Sequence, residues 1–430
     1  MRMGRLTIAT ALVIVATAGS AAAAGPGTTR VSLTSSGTQA GRSSDFPTIS
    51  ADGRYVAFHT DARLVPGDTN DLTDVYVRDL ASGSTRRVSN GPAGADPDAG
   101  AYFPRISADG RYVAYESNAT NLVPGDTNAT TDVFVQDGVT GRTERVSVSS
   151  AGAQSDAFSY NPTISADGRY IAFESGADNL VDGDTNGVRD VFVRDRIAGQ
   201  TTRVSVSSAG AQGGRFSYGP SISADGQHVA FTSLAADLVP ADTNRLRDVF
   251  VRDMATGQTR RVSVTSAGAQ ANGSSGEPSL SADGRSVAFT SSSHNLVADD
   301  TNRTRDVFRH DSLTGATERM SVTGTGNQVH ADSFTPAISR DGQHVAFASR
   351  ATRLAGPDTN GAVDVFVRDV QAGRTERVSV GDTGKQGNNF SAIPAISGDG
   401  RFVAFVSSAT NLVVGDTNLA TDIFVRDRVG

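Results

Sequence analysis

Hydrophobic and polar positions recur along this chain in short strand-like segments rather than in helical stripes. Residues Asn161–Tyr218 read NPTISADGRYIAFESGADNLVDGDTNGVRDVFVRDRIAGQTTRVSVSSAGAQGGRFSY, and four β segments can be marked in them. They are Pro-x-Ile-Ser, Arg-Tyr-Ile-Ala-Phe, Asp-Val-Phe-Val-Arg and Thr-x-Arg-Val-Ser-Val. All are rich in Val, Ile, Phe and Thr, and the last two alternate with period two. Asp-Gly joins the first to the second in a tight hairpin, because both residues tolerate the positive φ of a primed turn. A glycine turn, Ala198-Gly199-Gln200, joins the third to the fourth. Pro47, Pro104, Pro162, Pro220, Pro278, Pro336 and Pro394 each open a first strand, where a missing N–H does least harm.

The block is repeated seven times. Its Asp-Gly turn recurs at Ser50, Ser107, Ser165, Ser223, Ser281, Ser339 and Ser397, spaced 57 residues once and 58 thereafter. The units start near residues 46, 103, 161, 219, 277, 335 and 393. A fixed period of this length predicts a solenoid, a propeller or an array. The two ends of the chain decide among them. Thr28–Asp45 matches the fourth strand and following linker of a unit, whereas Ile393–Gly430 stops after its third strand. Each fragment supplies what the other lacks. The expected fold is therefore all-β: a seven-bladed β-propeller of four-stranded blades over residues 25–430, its last blade closed by the N-terminal strand. Closure of that kind removes exposed strand edges.

The first 24 residues follow a different pattern. Arg2 and Arg5 precede an apolar run from Leu6 to Ala18, then Gly19-Ser20 and Ala21–Ala24. That layout predicts a secretory signal peptide over 1–24, cleaved near Ala24. The run is shorter than the roughly 20 residues of a membrane span. A secreted protein, extracellular or periplasmic, is expected, with no membrane insertion. Cys is absent, which excludes disulfides, thiolate metal sites and thiol nucleophiles. A formal charge of −7 argues against a nucleic-acid partner. A monomer is expected.

The unit x-Pro-x-Ile-Ser-x-Asp-Gly-Arg-x-Val-Ala-Phe, followed by Asp-Val-Phe-Val-Arg-Asp, resembles the WD-repeat-like propeller repeats of bacterial TolB-like proteins. The resemblance implies the propeller fold. It does not name a ligand, because propellers host many unrelated activities.

In such blades the 2–3 and 4–1 loops share one face. Here they are the long ones, Asn118–Thr131 and Ser149–Asn161 in the second unit, and long loops on a rigid scaffold are where recognition usually sits. Every 2–3 loop carries Asp-Thr-Asn-x-x-x-Asp. The oxygen-bearing sets are Asp68, Asn70 and Asp74; Asp126, Asn128 and Asp132; Asp184, Asn186 and Asp190; Asp242, Asn244 and Asp248; Asp300, Asn302 and Asp306; Asp358, Asn360 and Asp364; Asp416, Asn418 and Asp422. Such sets would suit structural Ca²⁺, which takes six to eight oxygens, and they resemble the calcium loops of integrin-type propellers. The competing reading is that Asp and Asn bond their own backbone in Asx-turns and need no cofactor. Fourth-strand arginines such as Arg87 and Arg203 are expected to pair with third-strand ends such as Asp79 and Asp195.

Two places break the repetition. The linker Asn90–Tyr102 is one residue short and puts Asp96 where six others have Gln; the fifth unit reads DVFRHD, placing Arg309 and His310 where Val and Arg are usual. A clustered Arg and His would suit an anionic group; drift within one blade is the alternative. No His-Glu-x-x-His or Gly-x-Ser-x-Gly occurs. Each repeated Asp comes in seven copies, whereas catalysis by paired carboxylates needs one distinctive pair, so no catalytic residue is assigned. The expected function is a non-catalytic binding or scaffold module for a protein or an extracellular glycan, acting through the long-loop face. The alternative is an extracellular carbohydrate hydrolase or lyase with its site at the mouth of the central channel.

Overall fold

The computed structural model describes residues 26–429; the signal-peptide segment expected over 1–24 lies outside them. The described chain forms seven four-stranded antiparallel sheets. The third blade is typical, with strands Ser159–Ile164, Tyr170–Ser175, Asp190–Asp195 and Gln200–Arg203 paired in chain order. First strands of neighbouring blades adjoin one another and surround a central channel. The seventh blade is composite. Gly27–Arg30 pairs antiparallel with Asp422–Asp427, Gly27 facing Asp427 and Arg30 facing Phe424. Just beyond it, the Val31 N–H donates to the Ile423 carbonyl at 2.7 Å. The chain is a closed seven-bladed β-propeller.

Packing follows from the alternation. Second and third strands are buried on both faces and place a stacked aromatic pair in every blade, such as Phe173 with Phe192 at 5.9 Å. The apolar clusters run between blades: Ala172, Val191 and Val193 of the third blade pack on Val229, Phe231 and Leu238 of the fourth. The Asp-Gly turn contributes to that contact. Gly168 has a φ of 74°, and a Cβ there would stand 2.3 Å from the Tyr112 ring of the preceding blade. Only glycine meets both demands. Next to these turns, backbone bonds pass from blade to blade, Ala51 N–H to Ala108 C=O, Ala108 to Ala166, and Ala166 to Ala224 among them.

Two strand boundaries differ from the sequence reading. First strands begin before the proline, because Pro162 lies inside Ser159–Ile164 at a β-bulge between Tyr160 and Thr163. The bulge takes the proline, which has no N–H, out of the ladder. Fourth strands end early, at Arg203, and Val206 instead bridges to Gln212, closing the 4–1 linker on itself.

Candidate binding site at the channel mouth

The bulge sets the geometry of one channel mouth. The residue before each proline is left-handed: Phe46, Phe103, Asn161, Gly219, Glu277, Thr335 and Ile393 have φ between 48° and 59°. Residues before proline normally stay extended, and β-branched Thr335 and Ile393 are strained in this region. First strands start at the face carrying the long loops, so this ring frames the channel there. Phe46, Asn161, Glu277, Thr335 and Ile393 line a cavity of about 440 Å³.

This ring is also where the seven units stop resembling one another. The preceding column reads Asp45, Tyr102, Tyr160, Tyr218, Gly276, Phe334 and Ala392. Its cross-strand partners are His59, Glu116, Glu174, Thr232, Thr290, Ala348 and Val406. Single residues recur within these columns, as Phe46 and Phe103 or Tyr102, Tyr160 and Tyr218 do, but the three columns together make a different combination in each blade, beside prolines and strand cores that repeat.

Those side chains are tied together across blade boundaries. Each bulge frees a backbone N–H, which must find an acceptor when shielded from water. His59 Nδ1 accepts from the Phe103 N–H at 3.2 Å, and Glu116 Oε2 accepts from the Asn161 N–H at 2.7 Å. Glu174 accepts from the Gly219 N–H at 3.1 Å and from the Asn161 side-chain amide. Glu277 accepts from the Thr335 N–H at 3.0 Å. Burial lowers His59 to about 4, so the ring is the neutral acceptor this bond requires. Burial pushes Glu116 up to about 7. It also raises Glu174, against the pull of Arg189 at 3.6 Å.

Aromatic rings surround these polar groups. Phe46 and Phe103 meet edge-on at 4.4 Å, and Phe46 stacks on His59 at 5.4 Å. Arg189 lies over Tyr160 at 5.4 Å and over Tyr218 at 5.3 Å, within cation–π range. Phe158, Phe216 and Phe390, from the adjoining linkers, are 41, 49 and 37 % exposed. The mouth thus presents aromatic faces together with carboxylate, amide and guanidinium groups. That combination suits a ligand with both apolar ring faces and hydroxyl groups.

In the Asp-Thr-Asn loops an arginine stands among the carboxylates. In the third blade, Arg203 Nη1 lies 2.7 Å from Asp184 and 3.5 Å from Asp190. Arg30, Arg87, Arg145, Arg261 and Arg319 bridge the same two carboxylates of their own blades within 4 Å. In the sixth blade Arg377 reaches Asp364 at 3.2 Å, while Asp358 accepts from Gln386. The Asn186 amide donates to Asp190 and to the Gly213 carbonyl, and its Oδ1 accepts from the Val188 N–H. A guanidinium thus stands beside these carboxylates, and the strand-end aspartate also accepts from internal donors, as Asp190 does from Ser205 and Asn186. Among the described residues, no group of three or more His, Cys, Asp or Glu could hold a metal ion.

The expected pairing of Arg87 and its equivalents with Asp79 and its equivalents is corrected accordingly. Asp79 instead takes a two-pronged bond from Arg54, at 2.9 and 2.8 Å. The fourth-strand arginine faces the loop because its register partner is Tyr76, three residues before Asp79.

Asp96 does the work of the glutamine it replaces: it binds Thr69 and lies 2.5 Å from Arg87. Arg309 and His310 are 7 % exposed and turned inward. Arg309 donates to Ser286 Oγ at 2.8 Å, and His310 Nδ1 contacts Thr317 Oγ1 at 2.9 Å. The structure brings neither Asp96 nor this pair to the channel mouth. Single blades that break the repeat do not mark the mouth residues. The signal lies in columns whose combination changes in every blade, around the proline that all seven units share.

No protein-family model matches the sequence. No curated protein matches it either. Solved structures do resemble the fold. The β-propeller domain of the Trilobed protease from Pyrococcus furiosus is 12 % identical, with a TM-score of 0.56 over 91 % of this chain and 95 % of that one. Oligogalacturonate lyase from Vibrio parahaemolyticus is 13 % identical, with a TM-score of 0.52 over 94 % and 90 %. TolB from Acinetobacter baumannii is 15 % identical, with a TM-score of 0.40 over 88 % and 82 %. At these identities the likeness is one of fold. Function therefore has to be argued from the site.

Proposed function

We propose that this is an exported, non-catalytic propeller, kin to the TolB-like repeat proteins, that binds an extracellular glycan at the channel mouth of its long-loop face. One observation carries the reading. Three adjoining columns of residues make a different combination in each of the seven blades, and they converge on that mouth. A ring of identical blades offers only symmetric contacts, whereas this mouth is asymmetric, aromatic from the first blade to the fourth and apolar at Ile393. Sugars present hydroxyl groups to amides and carboxylates and C–H faces to aromatic rings, and both are supplied here. The leader segment supports export.

A hydrolase or lyase at the same mouth is the competing reading. Glu116 and Glu174 are the nearest thing to a carboxylate pair, but both direct oxygens at the next blade's backbone N–H groups. Glu174 is 1 % exposed. They act as supports for the ring.

The test is a glycan array probed with the mature chain, followed by calorimetry on the best ligand and by product analysis. Binding without turnover, weakened about tenfold or more by Phe103→Ala, is expected. Turnover would favour the enzyme, and binding indifferent to Phe103→Ala would move the site elsewhere.

A further inference from the structure

Most charged groups at the mouth are matched. Glu174 faces Arg189 at 3.6 Å and Glu277 faces Arg305 at 3.4 Å. Glu116 accepts from a backbone N–H. Arg105 differs. It belongs to the first strand of the second blade, two residues deeper than Phe103, and lines the same 440 Å³ cavity. Among the described residues no carboxylate lies within 4 Å of it, and its Nη1 donates to the carbonyl of the adjacent Pro104 at 3.1 Å. The equivalent positions elsewhere carry Thr48, Thr163, Ser221, Ser279, Ala337 and Ala395, so this cation is unique in its layer.

The neighbouring hydroxyl is also uncommitted. Ser221 and Ser279 accept from the Leu280 and Ile338 N–H groups at 3.0 and 3.1 Å. Thr163 Oγ1, next to Arg105 in the ring, is buried and has no hydrogen-bond partner. Arg105, whose charge partner Glu116 stands beyond 4 Å, and an unpartnered buried hydroxyl thus line one cavity, where leaving either unsatisfied is unfavourable.

We propose that Arg105 and Thr163 form a carboxylate subsite at the throat of the mouth, and that the glycan bound there is therefore acidic, carrying a uronic-acid group. A guanidinium offers two parallel N–H donors that match a carboxylate, and the Thr hydroxyl supplies a third. This subsite rests on the glycan reading above only for the identity of what bears the carboxylate.

The experiment is calorimetry of the mature chain with an oligouronate of two to four sugars, its methyl ester, the corresponding neutral oligosaccharide, and acetate. Wild type is compared with Arg105→Gln, Arg105→Lys and Phe103→Ala. The oligouronate should bind about ten- to a hundredfold more tightly than its ester, and Arg105→Gln should erase that preference. Arg105→Gln should unfold at the same temperature as wild type or higher, because it removes a half-buried charge that has no carboxylate within 4 Å; a merely structural arginine would lower it. Equal affinity for acid and ester, or a preference that survives Arg105→Gln, overturns the subsite. In that case neutral-sugar binding sensitive to Phe103→Ala leaves the glycan reading standing. Acetate binding lost in Arg105→Gln, with no sugar bound, keeps the subsite and overturns the glycan. No binding of any probe overturns both.

Discussion

His59 Nδ1 accepts the backbone N–H of Phe103 at 3.2 Å, so the second strand of one blade holds the strained turn of the next. That bond requires a neutral imidazole, and burial holds His59 at about 4, below its unfolded value of about 6.5. The unfolded chain therefore takes up this proton first as pH falls. The stabilisation is complete above about pH 6.5 and is lost as pH drops toward 4, by about 3 kcal/mol in all. His59→Gln keeps an acceptor and removes the titration. Urea unfolding at pH 7 and pH 4.5 should show a smaller acid loss in the variant. Glu116, raised to about 7, works in the opposite direction over its own window, as stability falls between pH 4.5 and 7. The difference between variant and wild type therefore carries the test, and equal acid losses would contradict the assignment.

The seven Asp-Thr-Asn loops are predicted to use arginine as their cation. Arg203→Met would leave Asp184 and Asp190, both raised by burial, facing each other without a counter-charge. A loss of about 3–5 kcal/mol is expected by denaturant unfolding. Millimolar Ca²⁺ added to chelator-treated wild type should leave its melting temperature unchanged. A rise of several degrees would mean that metal binds beside the guanidinium.

Repetition made the scaffold legible. Seven Asp-Gly turns at a near-constant spacing, the four β segments of each unit and the split final unit are enough for blade number, strand order and closure. The same repetition hid the site. Asp96, Arg309 and His310 stand out as departures from the repeat, and each is compensated locally. Asp96 keeps the bond to Thr69 that Gln154 makes to Thr127. The bulge could not be seen because a proline after an extended residue reads as a plain strand start, yet it is the bulge that points Phe46 and Asn161 at the channel. Nor does spacing tell which oxygen an arginine will face, so the fourth-strand arginines were assigned to the wrong aspartates.

Strain at the mouth is measurable at Thr335. Its φ is 48°, and its Oγ1 is buried without a partner. Thr335→Gly relieves the left-handed penalty of roughly 1–2 kcal/mol and removes the orphan hydroxyl, while the N–H bond to Glu277 remains. Against this stands the extra entropy of an unfolded glycine, roughly 0.5–1 kcal/mol. A net gain of about 1 kcal/mol is expected in urea unfolding. A loss instead would show that the threonine side chain anchors the turn.

Ser286 and Arg309 are predicted to be a coupled pair. Six blades hold an aromatic ring at the Ser286 position, from Tyr55 to Phe402, and a buried valine at the Arg309 position. The fifth blade has a small residue at the first and a long one at the second, and Arg309 Nη2 reaches Ser286 Oγ at 2.8 Å. The guanidinium therefore takes up space that a ring occupies elsewhere. Arg309→Val alone should leave a void beside Ser286, and Ser286→Tyr alone should press on Arg309, each at a cost of about 1–3 kcal/mol. The double variant restores the pattern of the other blades and should return to wild-type stability, because Asp311, 3.6 Å from Arg309, keeps its two-pronged bond from Arg285. Denaturant unfolding of the four proteins gives the coupling energy directly. Additive losses would mean that the two substitutions arose independently and that the fifth blade tolerates each for a separate reason.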